Sequence, residues 1–262
     1  ATKPIGTGPY KFISWAKDQD FVMEANPAYW GGAPKIKRVI VRGIPETGTR
    51  VSAILAGDVD IIPAVPPDDI DRINRSGKAR IVTLRGNRIV FFALDCRSKP
   101  FDNKLVRQAI NYGTNMDNII KTVLKGNGTR VATLLNPWYA GYEDEVKPLP
   151  YDPEKAKALL AQAGYPKGVE FTFFGTQGRV PKDKEVIEAI VGELAKIGMK
   201  GNLKWLDWGT TISQANAGKL DGVWFRSWGN WMHDADNSLF TNCHSSAVYA
   251  KVWQGYKNEK LD

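Results

Sequence analysis

The chain has 262 residues, 43% of them hydrophobic and 24% charged, which is enough to bury one large core or two modest ones and too apolar for a mainly disordered protein. Net charge is +8, from 36 Lys and Arg against 28 Asp and Glu, but the basic residues are spread singly with no run of four, which argues against a nucleic-acid surface. No stretch approaches the roughly 18 apolar residues that span a bilayer, and two distant cysteines (Cys96, Cys243) and two histidines (His233, His244) do not make a metal site, so no cofactor is expected.

The opening residues, ATKPIGTGPYKF, lack a basic n-region and an apolar h-region, so no signal peptide is expected in them. A Gly/Pro turn there leads into a strand through Tyr10, Phe12 and Ile13. A polar hairpin turn near Asp18 to Asp20 follows, then a strand from Phe21 to Met23. Ile36 to Ile44 supplies another strand, and Thr49 or a neighbour caps a helix with Val51, Ile54 and Leu55 on its apolar side. A strand follows, ended by Pro63, Pro66 and Pro67, and Asp68 to Ile73 makes a short helix. Residues 79–84 (ARIVTL) and 87–95 (NRIVFFALD) read as strands, the second so apolar that it is expected in the centre of a sheet.

After Pro100 the texture turns helical. Asp102 is expected to cap a helix carrying Leu105, Val106, Ala109 and Ile110, and Thr114 with Asp117 suggests a capping box before Ile119 and Ile120. Residues 136–150, rich in Pro, Gly and aromatics, read as a long surface loop. Asp152 as cap, Pro153 at the first helical position and Gly164 as stop define the next helix. The strand VEFTFF, a helix from Pro181 to Gly198, a strand, a helix and a last strand through Val223 to Phe225 complete an α/β order.

One pattern occurs twice: VSAILAGDVDII at 51–62 and TISQANAGKLDGVWF at 211–225, each a helical run, a Gly before an Asp, then a strand. It points to two related α/β elements, with Gly57 and Gly218 where a helix needs positive φ to end. The change of texture places a boundary at Ser98 to Pro100, dividing a strand-rich part, 1–98, from an α/β part, 99–262.

No catalytic motif is present: there is no GxSxG, the cysteines have no neighbour to lower their pKa, and GTGPY has neither phosphate-loop spacing. The chain is therefore not expected to be an enzyme. Aromatics say more, since seven of nine Trp fall after residue 130. The densest cluster, residues 223–240, crowds Arg226, Trp228, Asn230, Trp231, Asp234 and Asp236 around a Gly-containing turn beyond a strand, where open α/β sheets bind ligands. A carboxylate there suits an ammonium group, an arginine a carboxylate, and indole faces the rest of a zwitterionic or polyhydroxylated solute. Equally, the tryptophans could fill a core while Asp234, Asp236 and Asn237 cap the next helix.

GTGPYKF, EANPAYWGGAPKIKRV, AGDVDIIPAVPPDD, FFALDCRSKPFDNKLVRQAINYGTNMDNIIK, YDPEKAKALLAQAGYP and DGVWFRSWGNWMHDADNSLF, in that order, resemble the extracellular solute-binding proteins of the peptide, opine and nickel class (family 5) of bacterial ABC importers. The resemblance implies a periplasmic-binding-protein-like, two-lobed α/β fold. Here the first lobe is incomplete (1–98) and the second largely complete (99–262). It also implies a periplasmic or extracytoplasmic location, with a solute, expected to be a peptide, bound between lobes and delivered to a membrane permease. An oligosaccharide or opine binder and a non-binding assembly fragment are the alternatives. By resemblance Asp234, then Asp236, is the residue that holds a peptide amino terminus, Arg226 lies near where some members carry a carboxylate-binding arginine, and Asn87 and Arg88 lie where the chain nears the cleft. Family chains are longer at both ends, so an internal fragment is expected, completed by other segments of the same protein or by a second copy.

Overall fold

The computed structural model describes residues 4–16 and 19–262. Two compact units emerge, Ala1–Pro63 with Ser76–Ala79, and Ala64–Arg75 with Arg80–Asp262. The division falls ahead of the texture change at Ser98 to Pro100, because the apolar strand that precedes it pairs into the sheet of the later residues.

In the smaller unit, β1 (Tyr10–Ser14), β2 (Phe21–Ala25) and β3 (Arg38–Val41) form an antiparallel sheet in that order. Arg42 donates from Nε and Nη2 to the two carboxylate oxygens of Asp20, both at 3.0 Å. The turn expected near Asp18 falls partly outside the described residues. α1 (Thr47–Ala56) is capped by Glu46, whose carboxylate accepts from Gly48 N, rather than by Thr49. It ends at Gly57 with φ 86°, a left-handed conformation that costs glycine little. The strand expected after it does not form, nor does the one expected at 79–84; the first is hemmed by Pro63, which has no N–H to give a ladder.

The larger unit opens with a 3₁₀ turn (Pro67–Asp69) and α2 (Ile70–Arg75). Its sheet contains β4 (Arg88–Leu94), β5 (Val169–Gly175), β6 (Met199–Trp205) and β7 (Val223–Gly229), in the order β4-β7-β5-β6. β5, β6 and β7 are parallel and β4 is antiparallel to β7. The apolar β4 is therefore an edge strand among the described residues, not a central one: its second half serves both faces of the sheet, with Phe92 and Leu94 packed into one core cluster and Ala93 into the other, while Val90 stays exposed.

Those faces follow from the period-two alternation of strands. Phe171, Phe173, Val223 and Phe225 pack with Val106, Ala109 and Ile110 of α3 (Lys104–Gly113), Leu160 of α5 (Pro153–Gln162), and Ile187, Ile190 and Leu194 of α6 (Asp183–Lys196). Phe174, Trp224 and Ala93 face the other way, against Ala215 of α7 (Trp208–Asn216), Leu220 and Trp253. Each fully buried large side chain contributes about 1.5–3 kcal/mol. Asp152 caps α5 from its side chain to Lys155 N at 2.9 Å, with Pro153 following, as the sequence indicates. α3 and α4 (Met116–Thr122) are capped by Asn103 and Asn115 instead of Asp102 and Thr114, and Thr114 Oγ1 donates to the Ile110 carbonyl. Gly218 ends the α7 turn at φ 65°. α8 (Ala235–Cys243) and a π-helical turn (Tyr249–Gln254) close the chain. Cys96 and Cys243 are free thiols, each pushed up in pKa by burial.

Candidate functional site

The parallel pairing puts the carboxyl ends of β5, β6 and β7 and the start of β4 along one edge. Register shows more: Phe174 faces Trp224, so β5 ends at Gly175 while β7 runs on to Gly229, paired over that stretch with Arg88 to Phe91 of β4. A two-stranded ribbon thus projects past the end of β5, by about 13 Å at 3.3 Å per residue for its last four residues.

The ribbon separates the residues singled out in the sequence. Arg88 pairs with Gly229 and donates from Nη1 to Ser227 Oγ at 3.0 Å, so it lies on the face of Ser227 and Gly229. A Cβ at Gly229 would sit 3.5 Å from Arg88 Nη2 and 3.7 Å from Asn87 Oδ1, so the two side chains converge over this glycine. Arg226 and Trp228 alternate to the opposite face, with Trp224. Arg226 is only 2% exposed, and its guanidinium carbon lies 4.6 to 5.7 Å from the ring centroids of Tyr249, Trp253, Phe91, Trp224 and Trp228. Burial pulls its pKa down to about 10.

Beyond β7 the chain turns through residues 230–234. Asn230 is fully buried and holds this turn: Nδ2 donates to the Asp234 carbonyl and to Ser238 Oγ, and Oδ1 accepts from Met232 N at 2.9 Å. Both ends of the amide are thereby occupied inside the protein. Trp231, by contrast, is 82% exposed, with Met232 beside it. His233 takes φ 53° and stacks on Tyr139, centroids 5.4 Å apart. Asp234 is the N-cap of α8 and accepts from Asp236 N at 2.8 Å, which leaves its second oxygen at an exposed position, while Asp236 stands in the first turn. The cap and the ligand readings of Asp234 are therefore compatible.

The 136–150 loop forms no helix or strand, but its first half is pinned to this turn. Ala140 N donates to the His233 carbonyl and Ala235 N to the Ala140 carbonyl, each at 2.9 Å. Tyr139 Oη donates to the Asn87 carbonyl at 2.6 Å, with the Asn230 carbonyl at 3.3 Å.

Sequence reasoning missed Arg179. It follows β5 in the loop at the same edge, its guanidinium carbon 3.5 Å from the ring centroid of Trp208, the first residue of α7. Burial lowers its pKa, and the charge of Arg88 adds to the effect. Neither arginine forms an ion pair among the described residues. A lone Arg in a Gly- and Pro-containing loop carries no sequence pattern; its signal is the neighbouring positive charge, which only the fold supplies.

At its strand ends the open α/β sheet carries two arginines without ion pairs among the described residues and an exposed indole, and the fold is that of the two-lobed α/β periplasmic binding proteins. The structure matches a periplasmic binding protein of Helicobacter pylori, described as ABC transporter-associated DppA in complex with the peptide STSA. The TM-score is 0.83 at 31% identity, over 98% of this chain and 50% of that one. The model of the bacterial extracellular solute-binding proteins, family 5 Middle, matches residues 1–250, and the chain belongs to that family, one of solute binding rather than catalysis. It is 33% identical to heme-binding protein A of Haemophilus influenzae over 100% of this chain and 48% of the relative. With the dipeptide-binding protein of Escherichia coli the identity is 31% over 91% and 45%. The chain thus spans about half the length of the relatives it matches.

Proposed function

We propose that this chain is part of a carrier that takes a peptide outside the cytoplasmic membrane and hands it to an ABC permease, with the smaller unit supplying part of a first lobe and the larger unit, β4 included, a second. The observation that carries the reading is the charge arrangement at the sheet edge. Arg88 and Arg179, near each other and without carboxylate partners among the described residues, suit the carboxylate of a peptide, while Asp234 and Asp236 at the exposed start of α8 suit its ammonium group. Trp231 offers a flat apolar surface to side chains. Asn87 shapes the site with Arg88, and Asn230 keeps the 230–234 turn in place. The relatives described as peptide binders support this substrate class.

Isothermal titration with di-, tri- and tetrapeptides and with neutral oligosaccharides tests it. A peptide whose affinity falls at least ~10-fold in Asp234→Ala and in Arg179→Ala supports the reading, since each removes a charge-assisted bond worth about 1.5–3 kcal/mol. Binding of oligosaccharides alone, or peptide binding indifferent to both variants, overturns it.

A further inference from the structure

Three buried donors on one face of β7 have no acceptor among the described residues: Trp224 Nε1, Arg226 Nη1 and Trp228 Nε1. They belong to alternate residues of one strand, so they point to the same side, and both indole rings lie within 6 Å of the Arg226 guanidinium carbon. Buried polar groups in native proteins almost always find partners, and a buried guanidinium ordinarily has an anionic one. Among the described residues no carboxylate forms an ion pair with it. The titratable groups that act on Arg226 are Tyr249 and Cys243, and burial holds the cysteine toward its neutral thiol form. The aromatic faces around it offset part of the cost through cation–π attraction, yet Arg226 Nη1 still has no hydrogen-bond acceptor among the described residues. What the three groups share is the chemistry of an anion receptor: one fixed positive charge and two neutral N–H donors in an enclosure of low polarity.

We propose that Trp224, Arg226 and Trp228 form an enclosed site for one compact monovalent anion, of carboxylate or halide size, on the face of the ribbon opposite Arg88. The anion is one free in the medium, because the carboxylate of a bound peptide is assigned to Arg88 and Arg179 on the other face. The site does not rest on the peptide reading.

The test uses this chain exchanged into sodium HEPES and titrated with sodium formate and with sodium chloride, following tryptophan emission and the midpoint of thermal unfolding. A saturable response is expected with either salt. Arg226→Met should weaken it roughly ten-fold or more, because the charge-assisted bonds are lost. Trp228→Phe keeps the ring and deletes one N–H, so it should weaken the response by a smaller factor, about 3-fold. It keeps the test decisive if Arg226→Met does not fold by circular dichroism. A response that never saturates, or one that Trp228→Phe leaves as in the parent chain, overturns the site. Trialanine and its C-terminal amide then check that the two sites are independent. Displacement of formate by the acid and not by the amide overturns the free-anion site; displacement by neither, with formate itself still saturating, supports it. If trialanine and longer peptides give no heat of binding at all, the peptide reading fails while the formate result stands.

Discussion

The smaller unit buries Val22, Val51 and Ile54 and leaves Ile13, Trp15, Ile36, Ile40 and Val41 exposed, whereas the larger buries Phe101, Phe173, Trp224, Phe225, Ile187, Ile190 and Leu194 almost completely. Both have sheets and a helix of similar length. The difference is coverage: the larger sheet has helices on each face, so both sets of alternating side chains leave water, while in the smaller unit the alternation finds one partly covered side. A strand pattern therefore sets which residues can be buried, and the number of layers decides how many are.

The largest effect expected is at Phe173, buried among the β5, β7 and α6 side chains. Phe173→Ala should lower unfolding free energy by about 3–5 kcal/mol through lost transfer energy and the cavity left behind, read by urea denaturation; a loss under 1 kcal/mol would contradict the packing described. Val22→Ala should cost less, about 1–2 kcal/mol, and should speed amide hydrogen exchange in β1 to β3 while leaving β5 and β7 unchanged. Equal acceleration in both sheets would show that the units do not open separately.

Smaller still is the cap. Asp234→Ala should cost about 1 kcal/mol in α8, and Asp234→Asn or Asp234→Ser should restore it, whereas neither should restore peptide affinity if the carboxylate meets an ammonium group. Least is expected from Lys182, whose ammonium contacts Asp68 and so ties the segment before α2 to the start of α6. Its hydrogen bond holds the Asp68 carboxyl below the ordinary range. The folded value being the lower one, the stabilisation is complete above the unfolded value near 4 and is lost as pH falls through the folded value. Lys182→Met should flatten the acid limb of a stability–pH profile measured by thermal melting; an unchanged slope would contradict the link.

Local chemistry was readable where one residue type has one strong use. Asp152 with Pro153 marks a helix start, and Gly57 and Gly218 mark helix ends, without reference to anything distant. The caps at Asn103 and Asn115 were each displaced by one residue because Asp102 and Thr114 offer the same chemistry next door. What stayed hidden was pairing. Residues 87–95 and 79–84 both read as strands, yet only the first found a neighbour, and it lies at the sheet edge because its partner β7 is more than a hundred residues away. The site was legible in the same uneven way. A turn after the last strand was expected, but it was begun at Arg226, whereas β7 runs on to Gly229 and takes Arg226 and Trp228 into the ladder; nor was it foreseen that alternation sends Arg226 and Arg88 to opposite faces, or that Arg179 joins Arg88.

The clasp made by Tyr139 has a consequence for how this molecule can change over generations. A single phenol oxygen ties together three stretches of chain that ribosomal order keeps far apart, so residues 136–142 act as a rivet rather than a tether. Insertions and deletions should accumulate freely in the exposed run 143–150 and stop abruptly at the fastened half. Tyr139→Phe would loosen the whole joint while leaving every neighbouring side chain chemically intact.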